Sequence, residues 1–172
     1  TVVSIDKDGP GGAGPITVTL NRGESYYVNG GVMTGAEVIS TKPVQAHLLT
    51  GDIGATCETR WYTLIPVEDW FNRYMSPVGT SPNGQPCYIF LYNHNASPIT
   101  INATSRIGSE SLTVEPGETL RWQMPQNSGA MFASAGGEPF FAVATVGANR
   151  SANDAYDWGF TLIPQDALSS TA

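Results

Sequence analysis

Charge is scarce in this sequence. Only 13% of its 172 residues are Asp, Glu, Lys or Arg, and eight cations face fifteen acids, for a net charge of −7. The few Lys and Arg form no basic stripe, so the phosphate neutralisation that nucleic-acid binding requires is excluded. Histidine occurs twice, and a metal site on His47 or His94 would need further ligands beside it. His47 alternates with Gln45 as a solvent-facing strand residue does. No Gly-x-Ser-x-Gly elbow is present, and no enzyme activity and no cofactor is expected. No apolar run reaches the roughly 18 residues of a membrane span. Thr1 opens directly on a strand-like segment, the reading expected of a processed or trimmed terminus.

What the sequence does hold points to strands and turns. Nineteen glycines and twelve prolines suit a chain that reverses often, and its polar residues are Thr, Ser and Asn more than Lys and Glu, which favours pleated strands over helices. Ile16, Val18 and Leu20 alternate with Thr17 and Thr19, and Val44, Ala46 and Leu48 with Gln45 and His47. Residues 88–92 and 140–146 are nearly continuous apolar runs, the pattern of strands covered on both faces. Asp8-Gly9-Pro10, Asn29-Gly30-Gly31, Pro116-Gly117 and Gly136-Gly137 mark turns. The only helical piece expected is short, over residues 67–74, where Glu68 and Asp69 suit the first turn. Gln165-Asp166-Ala167-Leu168 is its expected counterpart near the C-terminus.

The chain also repeats itself. Pro15-Ile16-Thr17-Val18 matches Pro98-Ile99-Thr100-Ile101. Leu20-Asn21-Arg22-Gly23-Glu24-Ser25 matches Val114-Glu115-Pro116-Gly117-Glu118-Thr119, and Ile39-Ser40 matches Ala133-Ser134. Pro43-Val44-Gln45-Ala46 matches Pro139-Phe140-Phe141-Ala142, and Trp61-Tyr62-Thr63-Leu64-Ile65-Pro66 matches Trp158-Gly159-Phe160-Thr161-Leu162-Ile163-Pro164. The order is kept throughout. We therefore expect an all-β protein of two tandem sandwich- or barrel-like repeats of about six strands each. Their expected bounds are 1–74 and 85–172, with 75–84 as linker.

The string Gly35-Ala36-Glu37-Val38-Ile39-Ser40-Thr41-Lys42-Pro43-Val44, followed by Trp61-Tyr62-Thr63-Leu64-Ile65-Pro66 and by Trp70 and Tyr74, resembles the N-terminal domain of IgGFc-binding proteins, a domain of secreted, adhesion-type proteins. The resemblance implies an extracellular, β-rich module without catalytic residues to carry over.

Several residues are candidates for particular roles. Cys57 and Cys87 are expected to form a disulfide closing a loop of about 30 residues, a stabilisation of about 3 kcal/mol by chain entropy; two free thiols are the alternative. Asp6 and Asp8, at i and i+2 beside Gly9, are candidate ligands of a structural Ca²⁺. Asn95, Asn102 and Asn149 open glycosylation tripeptides. Trp61 and Trp158, at matching repeat positions, are expected to pack. Trp70, Tyr74 and Trp122 lack aromatic counterparts and are candidates for stacking on a sugar ring or anchoring a protein.

Each end of the sequence reads as half of a junction between repeats. Thr1, Val2, Val3, Ser4 and Ile5 form a strand with no unit before it, and Leu162, Ile163 and Pro164 close a unit with none after it. A free strand edge invites another chain, and head-to-tail contacts that do not close give filaments. The expected function is a secreted, non-enzymatic subunit that assembles with copies of itself into an extracellular fibre by strand addition. The alternative is a monomeric module that binds cell-surface glycans or proteins.

Overall fold

The computed structural model describes residues 1–51, 59–81, 85–147 and 158–168. Among these the regular structure is strand, apart from two three-residue 3-10 turns. The chain divides into two compact units, Thr1–Gln45 and Ala46–Ala172. The division falls well before the boundary expected at residue 74, because the strands on both sides of that point are built into the second unit.

The first unit is a three-stranded antiparallel sheet of β1 (Val2–Asp6), β2 (Ile16–Thr19) and β3 (Glu37–Ser40), with β1 in the middle. Val3 lies opposite both Val18 and Ser40, and Ile5 opposite both Ile16 and Val38. Directly opposed residues share a face, so Val3 and Ile5 gather their neighbours on one side and are themselves buried.

Among the described residues the second unit carries ten strands. β4 (His47–Thr50) and β5 (Arg60–Thr63) form a ribbon. β6 (Arg73–Ser76), β11 (Ala130–Ser134), β8 (Ile99–Ser105) and β9 (Gly108–Val114) make one sheet in that order. β10 (Thr119–Gln123), β7 (Cys87–Tyr92), β12 (Phe141–Val146) and β13 (Gly159–Thr161) make the other. Alternation decides what each strand buries. In β7, Cys87, Ile89 and Leu91 are fully buried, while Tyr88, Phe90 and Tyr92 are half-buried, so the continuous apolar run belongs to a central strand with one fully covered face. In β8, Ile99, Ile101 and Ala103 point inward. These residues join Tyr74, Phe132, Phe140, Ala142 and Ala144 in a single core between the two sheets. The ribbon is tied to the sandwich by polar contacts. Buried Tyr62 shares a 2.6 Å hydrogen bond with Thr145, and Thr161 Oγ1 donates to the Thr63 carbonyl at 2.6 Å. The Tyr62 ring lies against Gly159, where any Cβ would overlap it.

The helix expected over residues 67–74 is only the turn Val67–Asp69. Tyr74 belongs to β6, where it lies opposite Phe132; burial of its ring outweighs the local helical signal. The expected C-terminal counterpart is present as the turn Gln165–Ala167.

Hydrogen bonds repeat between the two halves of the sequence. Val3 faces Val18 and Ser40 as Ile101 faces Leu112 and Ser134. Thr41 N donates to Val2 O as Ala135 N donates to Thr100 O, and Leu64 N to Ala46 O as Leu162 N to Ala142 O. Glu24 N reaches Asn21 O as Glu118 N reaches Glu115 O, each across a glycine of positive φ, Gly23 and Gly117. These registers make β1 the counterpart of β8, β2 of β9, β3 of β11 and β4 of β12. Residues 16–20 thus answer to residues 110–114, not to the Pro98-Ile99-Thr100-Ile101 that their spelling matches.

Candidate functional site

The two segments expected to dock between subunits are already engaged. Thr1, Val2, Val3, Ser4 and Ile5 belong to or flank β1, whose two edges are both paired, and the Thr1 ammonium donates to Leu20 O at 2.7 Å. This strand has no edge left to offer. Leu162 is buried in the core, with its N–H on Ala142 O. Pro164 is bridged to Tyr74, and only Ile163 is exposed.

Other candidates also have structural occupations. Asp6 Oδ1 accepts hydrogen bonds from the Asp8 and Gly9 amides, an Asx turn that leads β1 into the loop after it. Among the described residues no three His, Cys, Asp or Glu converge on a point. Cys87 is a free thiol, fully buried on the inner face of β7, and burial pushes its pKa to about 11. The expected bridge to Cys57 is therefore not formed in this structure; Cys57 itself lies outside the described residues, as does Asn149. The Asn95 amide is committed to Asn93 Oδ1 and Pro139 O, so a glycan there would displace both bonds. Asn102 sits half-buried on β8 and accepts from Ser111 Oγ.

The aromatic residues exchange roles relative to expectation. Tyr74 is wholly buried, with its hydroxyl on Phe140 O at 2.7 Å, and can stack on nothing outside. Trp70 is half-buried, stacked on Phe141 and met edge-on by Tyr92 and His94, and its Nε1 donates to Ile65 O. Trp122 is half-buried, edge-on to Phe132, and donates to Glu110. By contrast Trp61 and Trp158, expected to pack, are 55% and 64% exposed. Trp61 is held by a 2.7 Å bond from its Nε1 to His47 Nδ1, with the two rings tilted and 5.0 Å apart.

The larger exposed feature is one the sequence reading did not single out. In Thr1–Gln45 eight large apolar side chains are exposed, against the two that are buried, Val3 and Ile5. Tyr27, Met33 and Ile39 lead them, at 74%, 65% and 58%. Their counterparts under the shared register fare differently: Val38 is 42% exposed where Phe132 is fully buried, and Val44 is 38% exposed where Phe140 is fully buried. The register itself was the available signal. Val38 and Ile39 are neighbours on β3 and lie on opposite faces of the sheet, so this apolar exposure is spread over both. Beside it, β3 keeps one edge unpaired among the described residues.

The described residues define an all-β module. A comparison with known families gives the more particular result: the chain belongs to the IgGFc-binding protein family, whose model matches residues 2–169. No curated protein matches the chain, and no solved structure does. Among the described residues no helix is long and apolar enough to cross a membrane.

Proposed function

We propose that this chain is an extracellular, non-enzymatic adhesion module that binds proteins, other copies of itself included, through exposed apolar residues of Thr1–Gln45. Family membership supports the protein-binding role. The observation that carries the surface is the exposure of Tyr27, Met33, Ile39 and their neighbours. Covering such side chains contributes about 25 cal/mol per Å² removed from water. Assembly into a fibre is the extended form of the same contact, reached when one face meets a different face and the ring does not close.

Sedimentation velocity over a rising concentration series, with electron micrographs of the same samples, tests this reading. The expected result is concentration-dependent oligomers or filaments that Tyr27→Lys with Met33→Lys suppresses. A chain that stays monomeric throughout, with unchanged behaviour in the double variant, sinks it.

A second reading has its own observation. The exposed Trp61 ring, fixed by His47, is a flat aromatic surface of the kind that stacks on sugars. A glycan array whose hits vanish in Trp61→Ala would support it, and an array with no Trp61-dependent hit excludes it.

A further inference from the structure

We infer that the free edge of β3 is an acceptor for one added strand, and that its occupant is a β6-type segment of a separate module of this family. The inference deepens the binding role proposed above and rests on it. The argument is internal to the molecule. β3 and β11 occupy the same place in their sheets, each paired on one side to the equivalent strand, β1 or β8. β11 has a second partner, β6, and β3 has none among the described residues. β6 lays Tyr74 opposite Phe132, and both are fully buried. At the counterpart of Phe132 stands Val38, exposed.

The backbone carries the same message. Ala135 N donates inward to Thr100 O, while the preceding Ser134 N donates outward to Asn72 O at 2.8 Å. In the first unit Thr41 N donates inward to Val2 O, so by strand alternation the amides of Ser40 and Val38 point away from β1. An added strand takes up such donors and acceptors along the whole edge. The register follows. The residue in the place of Tyr74 lies opposite Val38, that of Arg73 opposite Ile39, and that of Asn72 opposite Ser40. The segment must therefore alternate, with a large aromatic turned inward and polar or flexible neighbours turned out. Charges are sparse at this edge: Glu37 is the one ionised side chain on β3, with Lys42 just beyond it.

A peptide with the sequence of residues 71–77 probes this directly on the intact chain. Backbone hydrogen exchange, resolved residue by residue, is compared with and without excess peptide. The expected result is at least tenfold slower exchange at Val38 and Ser40, while Ile39 and Thr41, already paired to β1, change little. The same peptide N-methylated at the Tyr74 position keeps every side chain but lacks the ladder N–H, and is expected to give no slowing. The assignment is overturned if the natural peptide leaves Val38 and Ser40 unchanged. It is equally overturned if the N-methylated peptide slows them as much, which would mean apolar adhesion without strand addition. Self-association that persists in sedimentation while the peptide fails removes the β3 assignment and leaves the wider binding role standing. Peptide binding by a chain that remains monomeric has the opposite meaning.

Discussion

Asn93 offers the sharpest test of how the second unit is held together. Its side chain is fully buried where β7 turns toward β8, and every polar valence is used. Nδ2 donates to Ser97 O at 2.9 Å and Val114 O at 3.0 Å, and Oδ1 accepts from the Asn95 backbone N and Nδ2 at 2.8 Å each. Its backbone also exchanges hydrogen bonds with Glu118 and Gly117. One amide thus joins the β7–β8 turn to the turn between β9 and β10. Asn93→Ala removes four bonds and leaves the carbonyls of Ser97 and Val114, the second of them buried, without this donor. At about 1 kcal/mol net for each of the four bonds, the expected loss is about 4 kcal/mol. Asn93→Asp keeps the shape but aims a carboxylate at those same carbonyls. Burial and repulsion raise that carboxyl's pKa in the folded state, so the folded form holds its proton longer than the unfolded form. The stability of this variant is therefore greatest below about pH 4 and falls as pH rises. Urea unfolding followed by tryptophan fluorescence measures both, and all four tryptophans lie in Ala46–Ala172, so the signal reports this unit alone. A loss below about 1 kcal/mol in Asn93→Ala, or a pH-independent penalty in Asn93→Asp, refutes the reasoning.

Three further outcomes follow from the described geometry. With Cys57 replaced by Ser, the Cys87 thiol should resist labelling at pH 8 until the chain unfolds. Because its folded pKa lies at about 11 against an ordinary 9.0, its contribution to stability is complete below pH 9 and lost as pH rises through 11; buried Tyr62 and Tyr74 are shifted in the same direction, and a pH series of urea midpoints should show the decline. Trp61→Ala should cost under about 1 kcal/mol because the ring is exposed, while Trp122→Ala should cost about 2–3 kcal/mol, part of the range for large core truncations; equal losses by calorimetry would reverse the assignment of roles. Gly79→Ala should destabilise by about 1–3 kcal/mol, since its Cβ would fall 2.5 Å from Ser128 O and 2.8 Å from Pro125 O, backbone atoms that must move; an unchanged melting temperature would contradict this.

Strand character was legible in the alternation of Ile16 and Val18 with Thr17 and Thr19 and in the apolar run over residues 88–92. The paired Leu-Ile-Pro turns were legible too, since proline at 66 and 164 presets the same φ before each 3-10 turn. What escaped depended on partners distant in sequence. Nothing local to Tyr74 announces Phe132 or the Phe140 carbonyl, so a buried strand residue read as part of a helix and as a ligand platform. The equivalence of β1 with β8 was hidden because the two share only an apolar rhythm, while a chance spelling drew residues 15–18 toward residues 98–101. Thr1 to Ile5 read as an open edge because a strand in sequence does not reveal that two later strands close over both its sides. Trp61 and Trp158 read as packed because their spelling matched, yet Trp61 lies opposite Leu49 as Gly159 lies opposite Thr145, so the shared register answers Trp61 with Gly159.

The order of strands in the first unit sets how it responds to tension. Thr1 and Thr41 lie side by side, hydroxyl to hydroxyl at 3.2 Å, because β1 enters and β3 leaves at the same end of the sheet. A pull applied at Thr1 and Lys42 therefore does not shear the ladder along its length, where several bonds would share the load. It peels β1 from β3 one bond at a time, starting at Val2 and Thr41. The second edge of β3 lies outside that line of force. Under such a load the first unit opens pair by pair, without its ladder having to fail all at once.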